Sequence, residues 1–159
     1  MPRWRVTSTP PHLTFVMELH VTVGVPLEIG RVAHGRRRIV PILGGTFEGP
    51  SIRGRVVPGG ADWQVLRSDD VLELEARYVL ETDSGLTVYV RNTGLRHAPA
   101  HVMQDLLEGR DVNPALVYFR TAPVFEAAAP DLQWLTKAVF IGDAERHPRE
   151  VVLRVWRVE

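Results

Sequence analysis

Val71-Leu72-Glu73-Leu74-Glu75-Ala76-Arg77-Tyr78-Val79-Leu80-Glu81-Thr82 places Leu72, Leu74, Ala76, Tyr78 and Leu80 at every second position. Side chains alternate sides of an extended backbone, so this run is a strand with one apolar face. Asp83-Ser84-Gly85 follows. An aspartate bonds its own backbone readily and a glycine tolerates positive φ, which makes the triplet a tight turn. Leu86 to Asn92 then returns as the second arm of a hairpin.

The same pattern extends in both directions. Phe15, Met17, Leu19, Val21 and Val23 alternate, with Glu18, His20 and Thr22 between them. Arg36 to Leu43 runs into Gly44-Gly45, Ile52 to Val57 into Pro58-Gly59-Gly60, and Trp63 to Arg67 into Ser68-Asp69-Asp70. Leu116 to Thr121, Thr136 to Gly142 and Glu150 to Val158 complete nine candidate strands, with Val25 to Val32 a candidate tenth. One helix is expected at residues 99–108. Val102, Leu106 and Leu107 fall at helical spacing, Pro99 suits a first turn, and Gly109 and Asn113-Pro114 end it. A second short helical turn is expected over Asp131 to Trp134. This pattern predicts an all-β protein: a single antiparallel β-barrel of nine or ten strands with one short helix, since closure removes exposed edges. A two-sheet sandwich is the alternative.

The chain has 159 residues, 45% hydrophobic and 24% charged, which fits one globular domain. Residues 1–14 read as a flexible leader and 15–159 as the barrel. The leader is too polar for a signal peptide, so a cytoplasmic protein is expected, with Met17 a candidate alternative start. Lys plus Arg and Asp plus Glu each count 19, so no global field favours nucleic acid or an anionic membrane. The absence of cysteine excludes disulfides, thiol catalysis and cysteine-ligated metal. No glycine-rich nucleotide motif and no Gly-x-Ser-x-Gly occurs, and no cofactor is expected. His97 and His101 lie four apart, but Pro99 intervenes and no third ligand is apparent, so no metal is expected. Arg36-Arg37-Arg38 reads as a solvated edge that discourages strand pairing.

Ile42-Leu43-Gly44-Gly45-Thr46-Phe47-Glu48-Gly49-Pro50, Gly54 through Trp63, Ala76-Arg77-Tyr78, Tyr118 through Glu126 and Trp134-Leu135 occur in an order that resembles a known family. It is domain-of-unknown-function family 3237, also labelled uncharacterised protein family 0311. The likeness covers residues 16–158, and Pro58-Gly59-Gly60-Ala61-Asp62-Trp63 is its most specific element. It implies a small β-barrel and no particular reaction. Thr136 departs from the asparagine that often follows the Trp-Leu pair, so a ligand or its orientation is expected to differ if that amide makes contact.

Pro58 to Trp63 is also the most unusual segment on its own terms. Adjacent glycines let backbone N–H groups approach a ligand. A carboxyl packed on the Trp63 indole would be desolvated, which raises its pKa and suits Asp62 to acid–base work. The alternative is a tight hairpin in which Asp62 bonds turn amides and Trp63 plugs one barrel end. Glu75 and Arg77 share a strand face. They line the lumen in one reading, and lie on the surface if Leu72, Leu74 and Tyr78 fill the core. Tyr118 and Arg120 share a face and can orient an oxyanion, with Glu126 nearby; an Arg120–Glu126 salt bridge is the alternative.

The expected site is a pocket at one barrel end. Asp62, Glu126 and Tyr118 are the candidate catalytic residues, and Trp63, Arg77, Arg120 and Trp134 the candidate ligand-binding residues. The expected ligand is a small, largely apolar or aromatic organic molecule. The expected reaction is a cofactor-free isomerisation, cyclisation or lyase step; a non-catalytic carrier barrel is the alternative, ahead of a purely structural role. A homodimer is expected if Val151 to Trp156 is apolar on both faces.

Overall fold

The computed structural model describes residues 3–159, so the first two residues of the expected leader lie outside it. Its nine strands are β1 (Leu13–Val23), β2 (Leu27–Val32), β3 (Gly35–Glu48), β4 (Arg53–Leu66), β5 (Leu72–Thr82), β6 (Thr87–His97), β7 (Tyr118–Glu126), β8 (Phe140–Arg146) and β9 (Glu150–Val158). One α-helix, α1 (Ala100–Leu107), follows β6, and 3-10 helices span Pro114–Leu116 and Pro130–Thr136. The strand order is β1-β9-β8-β7-β6-β5-β4-β3-β2, and β1 also pairs with β3. That last pairing closes eight strands into an antiparallel barrel and leaves β2 outside, on β3 alone. The barrel therefore holds and the sandwich does not.

Glycine makes the closure feasible. Gly44 and Gly45 have φ of +143° and +134°, and they sit opposite Thr22 and Val21 of β1. A Cβ on Gly45 would stand 2.0 Å from the His20 carbonyl oxygen, so only glycine lets the first strand approach the third here. These glycines lie inside β3 and do not form the turn expected after Leu43.

Pro58-Gly59-Gly60 is likewise no hairpin turn. Ile52–Val57 and Trp63–Arg67, expected as two strands, are largely one strand, β4, which bulges between Val57 and Ala61. Against β5, β4 takes four residue steps where its partner takes two, from Val79 to Arg77. An even excess preserves the alternation, so Val56, Asp62 and Gln64 share the inner face. Two further boundaries move: Leu116 falls in a 3-10 turn before β7, and Thr136 ends the helix before β8.

The lumen is filled from its middle outward by Met17, Leu19, Phe47, Leu80, Val88 and Val155, all essentially inaccessible. Burying each such side chain contributes about 1.5–3 kcal/mol. At one end, α1 bridges β6 to β7 and inserts Val102, Met103 and Leu106 into the core. At the other, Leu132 and Leu135 of the second 3-10 helix do the same. No helix among the described residues is long and apolar enough to cross a membrane.

The outer face of β9 is covered within the chain. Val152 is buried between its cross-strand neighbours His20 and Glu145. Trp156 packs edge-on against Phe15 and donates to Asp143 at 2.7 Å. The outer face of β9 thus carries two apolar side chains, Val152 buried and Trp156 partly so.

Candidate functional site

Between the apolar middle of the barrel and α1, the inner face turns polar. Residues on the buried phase of each strand do this: Arg38 on β3, Asp62 and Gln64 on β4, Tyr78 on β5, Asn92 and Arg96 on β6, Thr121 on β7 and Arg146 on β8. Arg38 pairs in register with Gln64, and Asp62 with Ala76, which pairs in turn with Asn92. Ala76 is the small residue between Leu74 and Tyr78, and its missing bulk leaves space between Asp62 and Asn92. Gly142 keeps the far wall thin: a Cβ there would lie 2.2 Å from Thr121 Oγ1. The space remaining is a cavity of about 60 Å³, bounded by Asp62, Gln64, Tyr78, Asn92, Arg96 and Arg146 among others.

These groups are buried but incompletely satisfied. Gln64 Nε2 donates to Asp62 Oδ2 at 2.8 Å. Asp62 Oδ1, Gln64 Oε1, Asn92 Oδ1, Thr121 Oγ1, Arg38 Nε, Arg96 Nε and Arg146 Nη1 are buried without a hydrogen-bond partner among the described residues. A buried polar atom left unpaired costs about 1–3 kcal/mol, and native interiors hold few. Seven such atoms gather on one stretch of the inner face.

Burial pushes the Asp62 carboxyl above the usual aspartate range, against the opposing effects of the Gln64 hydrogen bond and the Arg96 and Arg146 charges. Burial, with the Asp62 charge, holds the Tyr78 hydroxyl protonated far above its ordinary value. The Arg96 guanidinium is pulled down to about 9 by burial and then by Arg146; its side chain stacks over Phe119 at 5.5 Å. Burial also lowers Arg146 and Arg38. Arg38 Nη1 reaches the Leu107 carbonyl of α1 at 3.4 Å, and its Nε lies 3.7 Å from Glu28. Arg38 is therefore no solvated edge residue: it is 4% exposed, on a strand paired on both sides.

Of the seven expected site residues, the lumen gathers only Asp62. It is mid-strand, away from any turn, and its side chain points opposite to that of Trp63 because neighbours on a strand alternate. Trp63 is 45% and Tyr118 48% exposed, and with Arg120 they line an open groove of about 580 Å³ on the outer wall. Tyr118 and Arg120 in that groove are exposed, whereas Thr121 at its floor is buried. Tyr118 stacks on His97 at 4.9 Å, and Arg120 donates to the Phe119 carbonyl at 3.0 Å rather than to Glu126, which is exposed. Arg77 is on the outer wall, where Glu75 accepts from Arg77 at 2.7 Å and from Arg91 at 2.8 Å. This is the surface arrangement foreseen if Leu72, Leu74 and Tyr78 fill the core. Trp134 lies on the second 3-10 helix, at the end of the barrel away from α1, beside Phe15 and Arg157.

Arg38, Gln64, Tyr78, Asn92, Arg96, Thr121 and Arg146 were not foreseen as site residues. A signal existed for several of them. Val88 and Val90 point inward, and the same alternation carried on reaches Asn92 and Arg96; Val40 and Ile42 lead back to Arg38 in the same way.

Residues 11–158 match the model of the family described as protein of unknown function DUF3237. The chain belongs to this family. A UPF0311 protein of Rhodopseudomonas palustris (strain TIE-1) is 45% identical over 144 residues, covering 91% of this chain and 94% of that protein. The crystal structure of a conserved protein of unknown function from Rhodopseudomonas palustris superposes with a TM-score of 0.91 at 40% identity, over 96% of this chain and all of that one. An enzyme from Penicillium herquei shares the fold at 19% identity, with a TM-score of 0.73 over 98% of this chain and all of that one. The family's barrel is thus what this chain forms, and its polar lumen lies within the matched residues.

Proposed function

We propose that this DUF3237 barrel binds a small organic molecule in its lumen and moves a proton on it, with Asp62 as the transferring group. The observation that carries this reading is the Asp62 carboxyl itself. It is buried, holds its proton to higher pH than an exposed aspartate, and keeps Oδ1 unpaired against a cavity. A carboxyl so placed can take a proton from a bound molecule or give one to it. The protonated Tyr78 hydroxyl supplies a donor, and the neighbouring guanidiniums stabilise an oxyanion as charge develops. The reaction class is a cofactor-independent isomerisation, cyclisation or lyase step. Glu126 and Tyr118, on the outer wall, have no part in it. The Penicillium herquei protein, an enzyme on the same fold, is compatible with turnover here.

The cavity of about 60 Å³ has room for roughly two waters at ~30 Å³ each.

The test is native mass spectrometry with a library of small ketones, phenols and hydroxy acids, followed by solvent-deuterium incorporation into every binder. Incorporation by the wild type, reduced by about 10²–10⁴ in Asp62→Asn with binding retained, supports the proposal. Binding without incorporation overturns it and assigns the lumen to a carrier.

A further inference from the structure

We infer that the α1 end of the lumen is a carboxylate subsite formed by Arg96 and Arg146, and that the ligand is a small hydroxy acid bound as its anion. This rests on the lumen being the ligand site and names the chemistry of its occupant.

The unpaired atoms divide by type. Two are guanidinium donors on residues that line the cavity, Arg96 Nε and Arg146 Nη1. Three are acceptors on residues that line it, Gln64 Oε1, Asn92 Oδ1 and Asp62 Oδ1, and on β6 Asn92 lies four residues farther from α1 than Arg96. The Gln64 amide is oriented by its own donation to Asp62, which leaves Oε1 free. A guest that satisfies both sets presents an acceptor group to the guanidiniums and a donor to the amides and carboxyl. A carboxylate at one end and a hydroxyl at the other is the simplest such molecule.

Charge agrees with this division. Three guanidiniums surround the one carboxyl that lines the cavity, and each feels the others or that carboxyl. Arg38 is partly offset by Glu28 at 3.7 Å, but Arg96 and Arg146 have no such neighbour in hydrogen-bond contact at their unpaired nitrogens. Cations this deeply placed call for a fixed counter-charge. Guanidinium geometry matches planar carboxylate oxygens, and the space of about 60 Å³ suits that group better than a phosphate ester.

The experiment titrates the whole protein with glycolate, acetate, glycolamide and inorganic phosphate at constant ionic strength, following the arginine Nε–Hε resonances by NMR. Glycolate should shift those of Arg96 and Arg146 and bind at least about tenfold more tightly than glycolamide. It should bind about 2- to 10-fold more tightly than acetate, whose missing hydroxyl leaves those acceptors unpaired. Arg146→Gln, at a position only partly buried, should weaken glycolate by about tenfold or more. If Arg96→Gln fails to fold, the wild-type comparisons still decide. Equal binding of glycolamide, equal binding of acetate, tighter binding of phosphate, or no shift at about 100 mM glycolate each overturns the inference. Asp62→Asn should retain or tighten glycolate, because it removes a like charge. Anion binding that survives while deuterium exchange is absent would therefore sink the proton-transfer reading alone. Exchange on neutral ligands without glycolate binding would sink this subsite alone.

Discussion

Gln64 Nε2 donates to Asp62 Oδ2 at 2.8 Å, two residues apart on the inner face of one strand. The bond stabilises the charged carboxylate in a place where burial disfavours it. Removing it by Gln64→Leu should move the Asp62 pKa further up. The acidic limb of any pH–rate profile should shift to higher pH with it, and an unchanged limb would mean that another group titrates.

Burial of Asp62 also has a consequence for stability. Its folded-state pKa lies above the unfolded value of 3.8. Between those two values the folded state holds a proton that the unfolded state has lost, so stability falls as pH rises through that window. Asp62→Asn lacks this dependence. Its Tm relative to wild type should therefore rise between about pH 4 and the Asp62 midpoint, then level off. Thermal melts of both proteins from pH 4 to pH 8 check this; a difference that shrinks with pH would show the opposite sign of shift.

The bulge that aims Asp62 depends on Gly60. A Cβ there would meet the Arg77 carbonyl at 2.5 Å and Tyr78 Cβ at 2.6 Å, both fixed parts of β5. Gly60→Ala should cost about 1–3 kcal/mol in urea unfolding. Gly59 has open space but a φ of +112°, so Gly59→Ala should cost about 1 kcal/mol from backbone strain alone.

Much of the barrel is legible in the sequence because alternation reports burial directly. Leu72, Leu74, Ala76, Tyr78 and Leu80 face inward as their spacing requires, and the helix at 99–108 falls at Ala100–Leu107. The site is less legible, for a physical reason. Polar residues on the buried phase of a strand look like ordinary surface residues unless the alternation is carried through them. Arg38 shares its phase with Arg36, which is exposed, so alternation within the run Arg36-Arg37-Arg38 does not single it out; its phase is that of the buried Val40 and Ile42. Conversely, Trp63, Tyr118 and Arg120 drew notice by residue type, yet their phase sends them outward. The closure of β1 on β3 and the bulge at Pro58-Gly59-Gly60 come from long-range pairing, which glycines permit but do not announce.

The outer wall gives a control. Trp63→Ala and Arg77→Ala remove exposed side chains that point away from the lumen. Ligand affinity and deuterium incorporation should stay within about twofold of wild type, as expected for surface substitutions worth under ~0.5 kcal/mol. A tenfold loss in either would return the site to the outer groove.

Whether Asp62 is a buried, proton-holding carboxyl facing the lumen can be read from its own titration. Side-chain carboxyl carbons can be followed by ¹³C NMR from pH 2 to pH 9, with the Asp62→Asn spectrum identifying the resonance. The midpoint should lie clearly above the ordinary 3.8. That midpoint should move when glycolate occupies the cavity. A midpoint at or below 3.8, unmoved by glycolate, would contradict a buried, proton-holding Asp62.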